Sequence, residues 1–438
     1  METFRSTSLK VHERERPLRV AMVHYRDASE SGGSLRVGET IANHVDPSRV
    51  AAAMVFAYGG PGPVARQTRV PCHFIKAHGP RDPLGWLRAR ALFRELRPDV
   101  IHFQDAVVWV RAALLGSAYP KIVHVHGRYE KTSRNRGPHS SHPFRASTLL
   151  RAYLKLTDAQ VCISNGARKS LLDLGWISSE VSHVIYNAVD VSRFKSTATK
   201  SEARASLSLP QDVKLLGIVC RLVKEKGCSD LLSIIAKLPS RWHGLICGTG
   251  PQRRQLEQQC EALNLAGRIH FLGSQDDVVN VYAAIDAYAF LSSYEPFGLV
   301  VAEAMACGVP VFGVMSDGEY AESQYPLIRA DNAVMIQGDR DSDNCLLTPT
   351  IEELARHLDH FADHAESYSA MVERARLWIT NCFAAPVQAE AITRVYESIC
   401  GGAALYEAKL SEFYQTKRQD AERRTEMAEF PKATAATA

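Results

Sequence analysis

Residues 287–314 read AYAFLSSYEPFGLVVAEAMACGVPVFGV, and three patterns follow one another in that stretch. AYAFLSS (287–293) is a short apolar run with aromatic residues, the composition of a buried strand. YEPFG then makes a turn. The segment from Leu299 to Ala306 is apolar nearly all round, stops at Gly308 and has Pro310 just beyond, which marks a short buried helix. VPVFGV (309–314) is a second strand. Strand, helix and strand this closely spaced form a unit whose strands run parallel and are covered on both faces. Glu295 in the turn and Glu303 in the apolar helix contribute nothing to such packing, so both need another reason.

The same alternation extends in both directions. LRVAMVHY (18–25), VAAAMVFAY (50–58), VPCHFI (70–75), DVIHFQ (99–104), KIVHVHG (121–127) and AQVCISN (159–165) read as buried parallel strands, with a helix over 83–97 ended by Pro98. After about residue 205 the pattern restarts with KLLGIVCRL (214–222), HGLICGTG (243–250) and RIHFLG (268–273) before the opening stretch. The class is α/β, with two doubly wound Rossmann-like domains over 18–200 and 201–385. Residues 1–17 form an N-terminal extension, 191–210 a linker, and 403–438 a polar, partly disordered tail.

A chain of 438 residues exceeds one ordinary core and suits two. The N-terminus is charged without an apolar run, unlike a secretory signal, and nothing reaches the length of a membrane span. Ten scattered cysteines with no C-x-x-C read as thiols of a reducing cytosol, and no metal site is expected. Residues 1–190 carry 27 Lys+Arg against 16 Asp+Glu, and the remainder 25 against 32. A basic first half suits an anionic partner or merely a solvated surface.

Ligands of doubly wound sheets sit at the carboxyl ends of the strands. Gly32 and Gly33 open a helix after the first strand, which suits either a phosphate or a plain turn. Arg221 and Lys226, in CRLVKEKG after the first strand of the second half, can grip a diphosphate or pair with Glu225. Gly248 and Gly250 fit plain strand-to-helix geometry or a turn near the same ligand. Glu295 lies just past its strand, Glu303 lies one turn into the next helix, and the N–H groups of Phe297, Gly298 and Leu299 face the same crevice. Carboxylates there can accept from sugar hydroxyls; alone, each would be a loop or helix-surface charge.

Taken together, EPFGLVVAE resembles the E-x7-E signature of retaining GT-B-fold glycosyltransferases, the group 1 or family 4-like enzymes. GGSLRV, NAVDVSRF (187–194), CRLVKEKG and HFLG resemble further motifs of that family, in its order. The resemblance covers roughly residues 18–400 and implies two domains facing across a cleft, with a helix over 386–402 returning to the first. It implies that Arg221 and Lys226 hold the diphosphate of a nucleotide sugar, most often a UDP-sugar, with Gly33 beside it. Gly273 and Ser274 would lie near the base, Glu303 at the ribose, and Glu295 with the 297–299 backbone at the sugar hydroxyls. His126 would face the donor sugar, and His124 would be a satisfied core histidine. The sugar donor is then a co-substrate, with no resident cofactor or metal.

The implied reaction is transfer of a sugar, with retention, to a hydroxyl acceptor in polysaccharide, lipopolysaccharide or other glycoconjugate synthesis. It passes through an oxocarbenium-like state in which the departing diphosphate gains charge, and no residue is assigned as a covalent nucleophile. The acceptor is lipid-linked, polymeric or small. The enzyme is cytoplasmic, with peripheral contact at an anionic membrane surface through the basic segment 127–155 as one option, and nucleic acid is not a partner. Two departures stand out. SDGEYAES (316–323) replaces the family's Gly-Gly-x-x-E segment, and GDRDSDN (338–344) carries D-x-D spacing but reads as a solvated loop away from the crevice. The competing readings are a GT-B nucleotide-sugar epimerase and a catalytically silent sugar-nucleotide binder.

Overall fold

The computed structural model describes residues 16–28, 32–105, 107–129, 151–195, 198–275, 277–315, 327–401 and 407–427. Two all-parallel sheets carry the fold. In the first, β1 (Leu18–Arg26), β2 (Val50–Tyr58), β3 (Cys72–Ala77), β4 (Val100–Phe103), β5 (Lys121–Val125), β6 (Ala159–Cys162) and β7 (Ser182–Val184) lie in the order β3-β2-β1-β4-β5-β6-β7. In the second, β8 (Lys214–Val219), β9 (Trp242–Cys247), β10 (Ile269–Gly273), β11 (Ala287–Phe290), β12 (Val311–Met315) and β13 (Val334–Gln337) lie in the order β10-β9-β8-β11-β12-β13. β4 and β11 are buried along their whole length and β8 along all but its first residue, as parallel strands covered on both faces are. Each order reverses once, between β1 and β4 and between β8 and β11, and these reversals are where doubly wound sheets bind ligands.

The opening stretch folds as the βαβ unit its pattern predicts. β11 leads to the helix Leu299–Ala306, which returns to β12, and Tyr288, Ala289 and Phe290 pair in register with Val311, Phe312 and Gly313. Two strands escaped the sequence reading. β7 is a three-residue edge strand, and β13 follows the atypical segment after β12.

The chain crosses between the domains twice, and the crossings are fastened together. Val189 and Ala384 form a parallel bridge, Val189 N–H donating to the Phe383 carbonyl and Ala385 N–H to the Val189 carbonyl, both at 2.9 Å. The rings of Tyr186, Phe297 and Phe383 meet beside it at 5.8–6.4 Å. Helix Ala385–Gly401 packs on helix Gly32–His44 of the first domain, where the Tyr396 hydroxyl meets His102 Nδ1 at 2.7 Å. Past it, residues read as a polar tail form helix Glu407–Met427 against Ser369–Cys382. Buried Leu410 and Ala421 face inward, while Arg424 donates to Asn381 and Glu422 pairs with Arg329. Two apolar anchors and this pairing offset the ordering cost that polarity alone would leave unopposed.

Candidate active site

At the β8/β11 reversal two loops are stitched together. Beyond β8 the chain makes a tight turn over Lys224–Lys226 and enters helix Cys228–Lys237 through Gly227, at φ +73°. A side chain at 227 would overlap the Leu291 carbonyl, so only glycine permits the loop to lie this close to the end of β11. Ser293 N–H donates to the Glu225 carbonyl at 2.9 Å. The result places Lys226 Nζ directly on Glu295 Oε2, with both side chains largely buried at 19% and 12% exposure. Arg221 is exposed at the mouth of the same loop. The sequence reading puts these groups at strand ends, and the structure brings Lys226 into direct contact with Glu295.

Glu303 sits one turn into helix Leu299–Ala306, which begins after Gly298 at φ +92°. Its Oε2 accepts from the Tyr282 hydroxyl at 2.8 Å. Burial pushes its carboxyl up to about 7, against the opposing pull of that hydrogen bond and of Arg193 and Arg36. Arg36 belongs to helix Gly32–His44 of the first domain, so Glu303 faces across the cleft. A Cβ on Gly33 at the start of that helix would lie 3.8 Å from Leu299, which brings the Gly-Gly turn against the E-x7-E helix. Phe297 is buried in the aromatic contact with Tyr186. Gly273 and Ser274 end the edge strand β10, two strands away from β8. Gly273 connects inward through its carbonyl, which accepts from Gly248 N–H at 2.7 Å. Gly248 itself, at φ +137°, packs where any side chain would overlap the Cys220 carbonyl, so this turn braces the Arg221–Lys226 loop.

Across the cleft, His126 follows β5. Its Nε2 meets Gln104 Oε1 at 3.1 Å, and its ring stacks on His124 at 4.4 Å. His124 stacks in turn on His102 at 5.2 Å. Burial lowers His126 to about 4, against the pull of Asp105, so the ring is neutral near pH 7. His124 is a core residue, but neither of its ring nitrogens has a hydrogen-bond partner among the described residues, so stacking takes the place of the expected satisfaction. One bond spans the cleft directly: Arg128 N–H donates to the Tyr294 hydroxyl at 2.9 Å, joining the turn after His126 to the residue before Glu295.

The loop over 338–346 is not remote from the crevice. Asp343 pairs with Lys224 at 3.1 Å, Asn344 donates to Ser293 Oγ at 2.6 Å, and Arg340 reaches Asp230 and the Leu291 carbonyl at 2.8 and 2.6 Å. It buttresses both stitched loops from behind. Its polarity suggested solvent because Arg340, buried between a carboxylate and a carbonyl, looks in sequence like any loop arginine. The segment 316–323 and most of 127–155 lie outside the described residues. Among the described residues no group of three His, Cys, Asp or Glu side chains could hold a metal ion, and no two cysteines form a disulfide.

Two doubly wound domains with a cation–carboxylate pair at one sheet reversal and a neutral histidine in the other domain define a two-domain α/β protein with charged and polar groups gathered at its strand ends. Family profiles agree and are more specific. Residues 199–378 match "Glycosyl transferases group 1" and residues 32–193 match "Glycosyltransferase Family 4". The chain belongs to this group of glycosyltransferases and has the GT-B fold. Among curated relatives, the lipopolysaccharide core biosynthesis glycosyltransferase LpsE of Rhizobium meliloti is 32% identical over 42% of this chain and 51% of its own. The D-inositol 3-phosphate glycosyltransferase of Mycolicibacterium smegmatis is 37% identical over 31% of this chain and 32% of its own. The chain thus spans about half the length or less of these two relatives. The crystal structure of Anabaena Alr3699/HepE in complex with UDP-glucose superposes with a TM-score of 0.69 at 22% identity, over 87% of this chain and all of that one. Such a likeness shows the fold.

Proposed function

We propose that the protein is a retaining hexosyltransferase that moves a sugar from a UDP-sugar to a hydroxyl acceptor in lipopolysaccharide, polysaccharide or other glycoconjugate synthesis. The observation that carries this reading is the Lys226–Glu295 pair at the β8/β11 reversal, stitched to Ser293 and faced by His126. In this reading the donor's diphosphate takes Lys226 from Glu295 and lies along Arg221. Glu295 then accepts from the sugar hydroxyls, helped by the N–H groups of 297–299. Glu303 takes the ribose hydroxyls, Gly32 and Gly33 let the first domain approach the diphosphate, and the base extends toward Gly273 and Ser274. Charge that builds on the departing diphosphate is met by two cations already in place, which lowers the barrier more than it tightens the ground state. His126, neutral and hydrogen-bonded to Gln104, borders the donor sugar without adding a competing charge. The cations do the work that a resident metal does elsewhere, and the donor is a co-substrate.

The relatives' names support glycoconjugate synthesis, and the UDP complexes of Alr3699/HepE support the uridine nucleotide. No described helix is long and apolar enough to cross a membrane. A cytoplasmic enzyme with peripheral contact at the inner membrane face is the reading consistent with this. The test is calorimetric titration of UDP, GDP and ADP into wild type, Lys226→Ala and His126→Ala, followed by turnover of the donor so identified. UDP should bind wild type and His126→Ala but not Lys226→Ala, and Lys226→Ala should cut turnover by about a hundredfold or more. Near-normal turnover in Lys226→Ala, or no nucleotide binding by wild type, would sink the proposal.

A further inference from the structure

The second reversal point, between β1 and β4, holds groups that donor binding leaves unused. Strand register puts Val23, Phe103 and Val123 level with one another, so Tyr25 at the end of β1, Asp105 after β4 and His126 after β5 share one edge. Tyr25 N–H donates to Asp105 Oδ2 at 2.9 Å, which fixes the backbone at that point. The Tyr25 ring is 50% exposed and lies 4.6 Å from the ring of Tyr58. Tyr58 rests in turn on buried Trp109 at 5.8 Å. Among the described residues, Tyr25 is the one aromatic in the set of exposed large apolar side chains; the others are leucines.

A lone exposed ring on a surface needs no explanation. This one is different in three respects. Its backbone is pinned by a carboxylate, its ring leans at 50° on a second ring that a third one backs, and it stands at the crevice where a doubly wound sheet receives a ligand. Rigid aromatic faces carry a negative quadrupole and little rotamer freedom. The C–H bonds on one side of a pyranose ring present a slightly positive, apolar surface of matching size. Two strand spacings separate β1 from β5, about 10 Å, which is the reach of a disaccharide lying across the edge.

We infer that Tyr25, held by Tyr58 and Asp105, is a stacking platform for a pyranose ring of the acceptor, one sugar behind the hydroxyl that meets the donor beside His126. The inference rests on the glycosyltransferase reading above and narrows its acceptor: the molecule that is extended is itself a glycan at least two sugars long, not a small alcohol or a bare lipid carrier. The preceding reaction must then be another glycosyl transfer, since its product supplies the ring that Tyr25 holds.

The experiment is saturation-transfer NMR on the full chain with UDP present, using maltotriose, cellotriose and mannotriose as probes, beside calorimetric UDP binding on the same samples. Wild type should transfer saturation to the ring C–H protons of at least one trisaccharide. Tyr25→Ala should weaken that binding about five- to tenfold, while Tyr25→Phe, which keeps the ring, restores it. Unchanged UDP affinity in Tyr25→Ala shows that the variant is folded. Equal transfer from wild type and Tyr25→Ala, or none from wild type that binds UDP, overturns the platform and leaves the donor reading standing. Absence of UDP binding in wild type overturns the donor reading and the platform with it.

Discussion

Acid should unfold the first domain well before it harms an ordinary α/β protein, because three of its histidines are neutral by burial. His24, His102 and His124 lie on one face of β1, β4 and β5, each wholly covered. Burial lowers His24 and His102 to about 3, and it lowers His124 well below the usual 6.5. Asp27 pulls His24 the other way, while the histidines disfavour one another's charge. Tyr396 and Gln104 hydrogen-bond the His102 ring without supplying a charge. A histidine with a depressed folded pKa binds protons more readily unfolded, so its stability is intact above pH 6.5 and is lost as pH falls below that value toward the folded pKa. At pH 5 each of the three withdraws about 2 kcal/mol, and His126, lowered to about 4, a similar amount, or about 8 kcal/mol together. Glu303, raised to about 7, works in the opposite sense. Its stability is intact below its unfolded pKa and lost as pH rises through 7, so it returns about 2 kcal/mol between pH 7.5 and 5. The net loss, about 6 kcal/mol, is a large part of a typical 5–15 kcal/mol. Urea unfolding followed by far-UV circular dichroism at pH 7.5 and 5.0, at matched ionic strength, measures it. A stability that changes by less than about 1 kcal/mol would refute the claim that burial keeps these rings neutral.

The remaining predictions address packing, closure and the ribose carboxylate. Gly38→Ala should destabilise the chain by about 1–2 kcal/mol despite alanine's better helix propensity, since the new methyl overlaps the His24 imidazole; a raised urea midpoint would contradict this. Tyr294→Phe removes the hydroxyl that accepts from Arg128 N–H. UDP affinity should hold while turnover falls about fivefold, the worth of one hydrogen bond of about 1 kcal/mol, and an unchanged kcat would show that the bond does not hold the cleft closed. UDP affinity should rise with pH through about 7 as Glu303 becomes a better acceptor, and Glu303→Gln should flatten that profile; a flat wild-type profile rules out a ribose contact by this group.

How much of this was legible in the sequence depended on whether a residue's role is local. The strand-turn-helix-strand at 287–314 was, because apolar runs, Gly308 and Pro310 act within a few residues. That Lys226 and Glu295 each follow a strand end was legible too, but not that they touch, since strand order is set by the sheet and not by local sequence. Roles fixed by distant partners were not. Arg340 binds Asp230 and Leu291, which lie far back in the chain. The anchors of helix Glu407–Met427 lie against residues 329 and 381, beyond any window of local periodicity. The histidine column draws on strands whose order the sequence does not number, so nothing tied His124, read as a core residue, to His102 or to His126, read as facing the donor. Tyr25 read only as the last residue of a strand until Asp105 and Tyr58 were beside it.

The bridge between Val189 and Ala384 fixes which motions the molecule allows itself. Two segments clasped at one point act as the pin of a door: the leaves can swing, but they cannot slide past each other or twist apart. A swing about this pin changes the angle between His126 and Glu295 and not their alignment. The Tyr294 hydroxyl against the Arg128 amide marks where such a swing stops, so one pin and one latch set the closed angle.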